Sequence, residues 1–374
     1  MRFITLIAKN VLNRPLRTGL TAIGLSIAIA AVIILVGISW NFERAFLAIY
    51  RSKKIDLIVV HAGSSNQLSS SLDVGLTGRL KQVEGVADVA PTLVDTIAFE
   101  EQNLASVLVN GWVPDSLLFR GIRVLEGRAL KADDQNAAML GRILALNLTK
   151  KVGDPIDVSG EKFEVVGIFE SESLFENGAL IVPLKTLQKM MGREGQATGI
   201  VITATDSDRE FIDALRRRIE TAIPNVAAAP ARDYVVGDTQ IRLAKAMSWT
   251  TGAIALILGA VGMLNTMLMS IFERTREIGL LRAVGWRRLR VLALILGEAL
   301  LISLAGTMLG GLLAVAGLRA VTLYPSARGF IDPNVPVEVL GLALIMGIGL
   351  SLLGGLYPAA RAAALDPTEA LRYE

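Results

Sequence analysis

The sequence contains no cysteine, and His61 is its single histidine. Without cysteine there is no disulfide framework, no thiol nucleophile and no cysteine metal site. One histidine cannot build a histidine zinc cluster, and a serine-histidine-aspartate triad would depend on His61 alone. We predict that His61 is a surface or packing residue, and a membrane-bound enzyme is the least favoured class for this chain.

Charged residues are also scarce. They make up 20% of the 374 residues, apolar residues make up 52%, and the mean hydropathy is +0.51. Because a soluble domain is about one quarter charged, these values predict membrane spans. Four stretches with almost no charge supply them, at 18–42, 246–272, 291–318 and 339–360. The first would form a helix of about 37 Å, longer than the ~30 Å hydrocarbon core and too long for a signal peptide.

The positions of the arginines and lysines predict the orientation. The segment 1–17 carries four basic residues and no acid, and the segment 273–290 carries six arginines. Both should be cytoplasmic, as should 361–374, whereas 319–338 forms a short extracytoplasmic loop. The residues 43–245 then form a large extracytoplasmic domain. The net charge of +3 is therefore a topology signal, and we predict no nucleic-acid partner.

The spacing of apolar residues, alternating in some segments and helical in others, suggests how the extracytoplasmic domain is organised. Strand patterns occur at 54–61, 86–99, 199–203 and 226–231, and helix patterns occur at 76–83 and 209–222. They predict an α/β unit assembled from the halves 43–112 and 197–237. The residues 113–196 between them contain a hairpin around Ser159-Gly160 and form a predicted β-rich insert.

The acids of this domain show no metal-binding spacing. We interpret them as solvated loop residues rather than a cation site; they are Asp133, Asp134, Glu170, Glu172 and Glu176.

The segment 273–288 is predicted to be a short helix joining two spans, ended by Gly285 in a left-handed cap. Ile278, Leu281 and Val284 are apolar at helical spacing. Its arginines alone would suit a membrane-surface anchor, but its glutamates favour a protein partner over anionic lipid. The first segment, 1–17, is predicted to be an amphipathic helix in contact with membrane lipids.

Three strings of residues carry a resemblance to a known family. They are ERTREIGLLRAVGWRRLRV at 273–291, NVLNRPLRTGLTAIG at 10–24 and YPAARAAALDPTEALR at 357–372. Together they resemble the conserved segments of FtsX-like permeases of ABC transporters, in particular the MacB-type group. The sequence departs from the pattern of this family at Trp286, where small residues are usual. The resemblance implies four transmembrane α-helices and a large α+β extracytoplasmic domain, similar to the MacB periplasmic core, between the first and second helices.

The resemblance also implies partners. The sequence has no Gly-x4-Gly-Lys-Ser/Thr phosphate loop, so we expect no cofactor and no catalysis on this chain, with ATP and Mg on a separate ABC ATPase. The dimer partner would be a second copy or a paralogous permease, and a membrane-fusion protein is a further partner that the resemblance allows. The expected location is the bacterial plasma (inner) membrane.

The helix at 273–288 would be a coupling helix that docks into the ATPase. We expect Ile278, Leu281 and Val284 to form its apolar insert. The other predicted coupling residues are Glu273, Arg276, Glu277, Gly279, Arg282 and Gly285.

Small residues in the third and fourth predicted spans indicate close helix packing, either within one chain or across a dimer. They are Gly306, Gly310, Ala343, Gly347, Ser351 and Gly355. Glu298 interrupts the third span near its cytoplasmic end, where we expect it to snorkel or to pair, with Arg287 and Arg290 nearby.

The expected function is mechanotransmission: ATP hydrolysis on the partner would move the extracytoplasmic domain to export or extract a substrate. The alternative is an FtsX-like signalling subunit that activates an extracytoplasmic hydrolase without transport.

Overall fold

The computed structural model of the chain describes residues 3–13, 15–64, 68–324, 327 and 331–366. Arg2, Arg14 and the end of the closing motif after Asp366 lie outside the described residues. The chain divides into two compact units. The membrane unit comprises Met1–Ser39, Lys245–Ala320 and Pro333–Glu374, and the external unit comprises Trp40–Ala244 and Val321–Asp332.

The helices of the described residues are, in chain order, α1 (Phe3–Leu12), α2 (Pro15–Ser52), α3 (Leu76–Lys81), α4 (Arg142–Leu148), α5 (Leu174–Asn177), α6 (Leu184–Met190), α7 (Arg209–Ala222), α8 (Ala231–Gly237), α9 (Thr239–Glu273), α10 (Thr275–Ala283), α11 (Arg288–Val321) and α12 (Val337–Ala364). Short 3-10 turns occupy Glu100–Gln102 and Leu117–Phe119.

Four of these helices, α2, α9, α11 and α12, are long and apolar enough to cross a membrane. Each contains one predicted span, but each is longer than that span. The largest difference is in α2, which continues ten residues beyond 42 to Ser52. An uncharged run marks the stretch that suits hydrocarbon, whereas Glu43 and Arg44 are good helix formers that end the run without ending the helix. As a result, α2 contributes residues to both units.

The strands of the external unit are β1 (Leu57–His61), β2 (Leu72–Asp73), β3 (Val86–Phe99), β4 (Leu104–Trp112), β5 (Arg123–Gly127), β6 (Ala137–Gly141), β7 (Pro155–Val158), β8 (Glu161–Glu170), β9 (Leu180–Pro183), β10 (Gln196–Ala197), β11 (Gly199–Ala204) and β12 (Val226–Pro230). Ten of them form one mixed sheet in the order β12-β1-β11-β3-β4-β9-β6-β8-β5, with β7 beside β8, and β10 pairs with β2.

This sheet joins the predicted halves to the predicted insert. Strands of the halves occupy one side, from β12 to β4, and strands of the insert occupy the other. The junction is a parallel pairing of β4 with β9, in which Val109 lies opposite Leu180. Sequence reasoning treated the insert as a small unit of its own, because pairing between strands some seventy residues apart leaves no local pattern.

The hydrophobic core beneath α7 is formed by the half-domains, whereas the core around Trp112 also includes Met139 and Phe169 of the insert. The amphipathic α7 buries Ile212, Leu215 and Ile219 against β1 and β11. Asp208 caps this helix by accepting a hydrogen bond from the N–H of Glu210. The other core receives the end of α2, where Tyr50 packs with Trp112 of β4.

Candidate functional site

The helix α10 lies between two membrane-spanning helices and is closed at its end by Gly285. This glycine has a φ of +99°, and its N–H donates to the carbonyl oxygen of Arg282 at 3.1 Å. The N–H of Trp286 donates to the carbonyl oxygen of Leu281 at 3.1 Å. The two bonds form a Schellman motif, which confirms the predicted left-handed cap.

One face of α10 belongs to the core of the membrane unit. Ile278 is only 4% exposed and packs in a cluster with Ile271, Val291, Ile295 and three alanines of α12. Gly279 is also buried, and Leu281 is half-buried. The expectation that Ile278 inserts into a partner is therefore wrong, because its side chain already fills a site within its own chain. Spacing alone could not choose between the two sides of so short a helix.

The opposite face of α10 is exposed and has an apolar centre. Leu280 is 57% exposed and Val284 is 76% exposed, and Ala283 lies beside them. Because residues four apart share a helix face, Leu280 and Val284 form one patch. Arg276 and Glu277 lie one turn before it and are exposed as well. Sequence reasoning included Val284 but missed Leu280, which the i, i+3, i+4 spacing from Arg276 could have found.

A buried ion pair fixes the start of α10. Arg274 donates to both carboxylate oxygens of Glu298 in α11, at 3.0 and 3.3 Å. Asn10 of α1 also donates to Glu298, at 2.7 Å. The side chain of Glu277 accepts a further bond from Arg274 at 2.9 Å. Burial acts to lower the pKa of Arg274, but the charges and hydrogen bonds of Glu298 and Glu277 raise it overall, so the guanidinium stays charged.

This geometry corrects the expected surroundings of Glu298. Its partner is Arg274 rather than Arg287 or Arg290. The break between α9 and α10 turns Arg274 towards α11, whereas Arg290 lies over the ring of Trp286 at 5.5 Å. The sequence position of an arginine near a helix break does not show towards which neighbouring helix its side chain turns.

Other predicted coupling residues make polar contacts around α10. Glu273 pairs with Arg17 of α2 at 2.8 Å, on the surface. Arg282 donates to the carbonyl oxygen of Trp286 at 3.3 Å and so supports the helix end.

The predicted small residues make close contacts within the chain. A Cβ atom added to Gly306 would lie 2.9 Å from the Cβ of Leu25 in α2, and one added to Gly310 would lie 2.8 Å from the carbonyl oxygen of Ser26. Gly347 of α12 lies against Thr307, and a Cβ on Gly355 would lie 2.9 Å from that of Ala299. Ala343 and Ser351 are buried on the same helix. These contacts match the interpretation as packing within one chain.

The acids of the external unit are not all solvated. Glu176 is buried and accepts a bond from Lys53 at 2.7 Å, with side-chain exposures of 4% and 0%, and Ser171 donates to its other oxygen. The solvated interpretation of Glu176 is therefore wrong. Nothing in the local sequence distinguishes Lys53 from Lys54 or Glu176 from its acidic neighbours, because their pairing joins residues 123 positions apart.

The remaining acids lie near the surface, and several are paired. Arg128 holds Asp134 through two bonds at 2.6 and 2.8 Å, and the pKa of Asp134 is lowered chiefly by them. A hydrogen bond from Arg123, with smaller contributions from Arg142, lowers the pKa of Glu170. His61 is exposed, as predicted. Within the described ranges no three histidine, cysteine or acidic residues are placed to hold a metal ion.

Two family models match almost the entire chain. The MacB-like periplasmic core domain matches residues 18–222, and the FtsX-like permease C-terminal domain matches residues 249–367. The chain belongs to the MacB/FtsX-like family of ABC transporter permeases. It is thus a membrane protein with four spanning helices and an extracytoplasmic α+β domain between the first and second.

Curated relatives of the permease come from archaea and bacteria. An uncharacterised ABC transporter permease of Methanocaldococcus jannaschii is 27% identical over 99% of this chain and 98% of its own length. The macrolide export ATP-binding/permease proteins MacB of Marinobacter nauticus and Rhodospirillum rubrum are 28% and 29% identical over 96% of this chain. The chain spans 58% of the length of each MacB protein.

Two solved structures also resemble part of the permease. The periplasmic region of MacB from Actinobacillus actinomycetemcomitans is 14% identical, with a TM-score of 0.39, covering 50% of this chain and 94% of that one. The extracellular domain of the noncanonic ABC-type transporter YknZ from Gram-positive bacteria is 16% identical, with a TM-score of 0.36, covering 47% of this chain and 98% of that one.

Proposed function

We propose that this permease is the membrane subunit of a MacB-like ABC transporter and that α10 couples it to a separate ATPase. ATP and Mg are held by that ATPase, and its hydrolysis cycle moves the external unit to export or extract a substrate. The chain lies in the plasma membrane with both termini in the cytoplasm. The observation that carries the proposal is the exposed apolar patch of Leu280, Ala283 and Val284 on a short charged helix between two spans.

The composition of this patch supports docking to a protein. Apolar side chains surrounded by charged neighbours are typical of interface centres, where a few buried residues supply most of the binding free energy. Arg276 and Glu277 carry opposite charges at its edge. A lipid surface would gain from the arginine but not from the glutamate.

The opposite face of α10 supports transmission of movement. Ile278 packs against residues of α11 and α12, and Arg274 is bonded to Glu298 of α11. A displacement of α10 must therefore move these helices or break buried contacts, since packed interiors resist deformation. Docking uses one face of α10, and transmission uses the other.

The test is copurification of the full chain with coexpressed ABC ATPases of its host. The double substitution Leu280→Asp and Val284→Asp places two charges in the patch, and we expect at least a tenfold loss of ATPase binding with normal membrane insertion. The matched control is Leu146→Asp, which changes an equally exposed leucine of α4 in the external unit. Unchanged copurification of the double variant would refute the docking role.

Reconstitution with the bound ATPase also separates transport from the FtsX-like alternative. A transporter should show ATPase activity that a transported substrate stimulates. Under the signalling alternative, the complex would instead activate an extracytoplasmic hydrolase and move no substrate. Mass measurement of the same complex tells whether the permease pairs with a second copy or a paralogue, and whether a membrane-fusion protein joins it.

A further inference from the structure

The external unit contains a cavity of about 400 Å³, which lies within the size range of small-molecule sites. One wall is formed by β3 and β4. Six of the lining residues on this wall form three cross-strand pairs: Thr92 with Trp112, Val94 with Asn110, and Thr96 with Leu108. Because side chains alternate along a strand, the three pairs lie on one face, and Leu93 and Val109 point to the core on the other.

The facing wall comes from helices and is largely aromatic. Phe42, Phe46 and Tyr50 line the cavity at helical spacing along α2, and Phe175 of α5 joins them. The ring centroid of Phe175 lies 4.8 Å from that of Phe42 and 4.6 Å from that of Phe46. Aromatic faces carry partial negative charge, so such a wall attracts both apolar groups and organic cations.

Among the described residues, three charged side chains line the cavity, and the sum of their charges is negative. Lys53 and Glu176 neutralise each other through their bond of 2.7 Å. Asp238 remains, and its Oδ1 accepts the backbone N–H groups of Gln240 and Ile241 at 2.8 and 3.3 Å. Its Oδ2 accepts no hydrogen bond from any residue that the structure describes. The cavity therefore offers one carboxylate oxygen to a positively charged group.

Two hydroxyl groups of lining residues also lack partners among the described residues. The oxygens of Tyr234 and Thr92 are buried and make no hydrogen bond. Burial, together with the charge of Asp238, raises the pKa of Tyr234, so this hydroxyl stays neutral. Buried polar atoms are normally satisfied, so these two hydroxyl groups are exceptions within the cavity wall. Exposed side chains of Thr96, Ser106 and Gln240 mark the opening.

We propose that this cavity binds a small organic cation with an aromatic or apolar body. The charged end lies at Asp238, and the body packs against Phe42, Phe46 and Phe175. An anionic molecule of the same size is disfavoured, because it would meet Asp238 while the described lining residues offer it no unpaired cation. The site lies within the external unit and does not depend on the docking role of α10.

The experiment uses the full chain in lipid nanodiscs, with empty nanodiscs subtracted, and three fluorescent probes. Proflavine is an aromatic cation, N-phenylnaphthylamine is neutral, and anilinonaphthalene sulfonate is anionic. We expect saturable binding of proflavine measured by anisotropy, weaker binding of the neutral probe and no saturable binding of the anion. Asp238→Asn should weaken proflavine about tenfold and leave the neutral probe unchanged. Val94→Trp fills the cavity and should remove both.

The matched control is Asp208→Asn, which changes another helix-capping aspartate that does not line the cavity. It should bind every probe as the unchanged chain does. The proposal is overturned if proflavine shows no saturable binding, if Asp238→Asn binds it with full affinity, or if the anionic probe binds best. Asparagine also caps helices well, so we expect the Asp238→Asn variant to fold. Its result therefore tests the proposal even if the Val94→Trp variant does not fold.

Discussion

Both units of this permease bury an acid-base pair, and the two pairs differ in how easily the sequence shows them. Glu298 stands alone in an uncharged run, so the sequence marks it at once, although it does not identify Arg274 as its partner. Glu176 lies among other acids of a polar segment, and neither it nor Lys53 is conspicuous. A charge is noticeable in an apolar segment because it breaks the pattern, whereas the burial of a charge from a polar segment depends on the tertiary structure.

The two pairs should also differ in their contribution to stability. Lys53 and Glu176 are 0% and 4% exposed, and the ammonium group of Lys53 lies over the ring of Trp112 at 5.2 Å. Arg274 and Glu298 are 15% and 7% exposed, and Arg274 keeps a second acceptor in Glu277. Loss of one partner is costly in proportion to how completely the other is left buried and unpaired.

The largest effect is expected for Lys53→Met. It leaves the carboxylate of Glu176 buried, with Ser171 as its only donor among the described residues, and the free energy of unfolding should fall by about 3–5 kcal/mol. The measurement is thermal unfolding of the full chain in detergent, followed by intrinsic fluorescence. The double variant Lys53→Met with Glu176→Gln should recover most of the loss, because no buried charge remains. A loss in the double variant as large as in the single one would contradict this explanation.

A smaller effect is expected for Glu298→Gln. Glutamine can still accept a hydrogen bond from Asn10 and Arg274, but the charge is gone, so the loss should be about 1–3 kcal/mol. The control Arg290→Gln removes the partner suggested by sequence position, and it should change the unfolding temperature little. If Arg290→Gln is the more destabilising of the two, the assigned pairing with Arg274 is incorrect.

The smallest effect is expected at the surface pair of Arg128 and Asp134. The pKa of Asp134 is lowered in the folded chain, so its stabilising effect is present above the unfolded pKa of about 4 and is lost as the pH falls through the lower folded value. Because the pair is near solvent, the effect should stay under about 1 kcal/mol. Between pH 6 and pH 3, the unfolding temperature of Asp134→Asn should fall slightly less steeply than that of the unchanged chain. If the unfolding temperatures of the two chains fall equally with pH, the pair of Arg128 and Asp134 does not stabilise the folded chain.

The candidate site shows a similar division between local and tertiary information. Gly285 was recognised as a helix cap because left-handed backbone favours glycine, and the cap is present. The exposed face of α10 was not recognised. Ile278 and Leu280 are both apolar, and only their burial against Ile271, Val291 and Ile295, or the lack of it, separates them.

The sequence by itself determined the four spans, the large domain between the first two and the family, because apolar length, charge bias and continuous motifs are local properties of a chain. Tertiary structure decided which face of α10 is exposed and which bases pair with Glu298 and Glu176. It also decided that the halves and the insert of the external unit share a ten-stranded sheet joined through β4 and β9. It also formed the cavity beside Asp238. These features depend on residues tens to more than a hundred positions apart, whose contacts are set by packing.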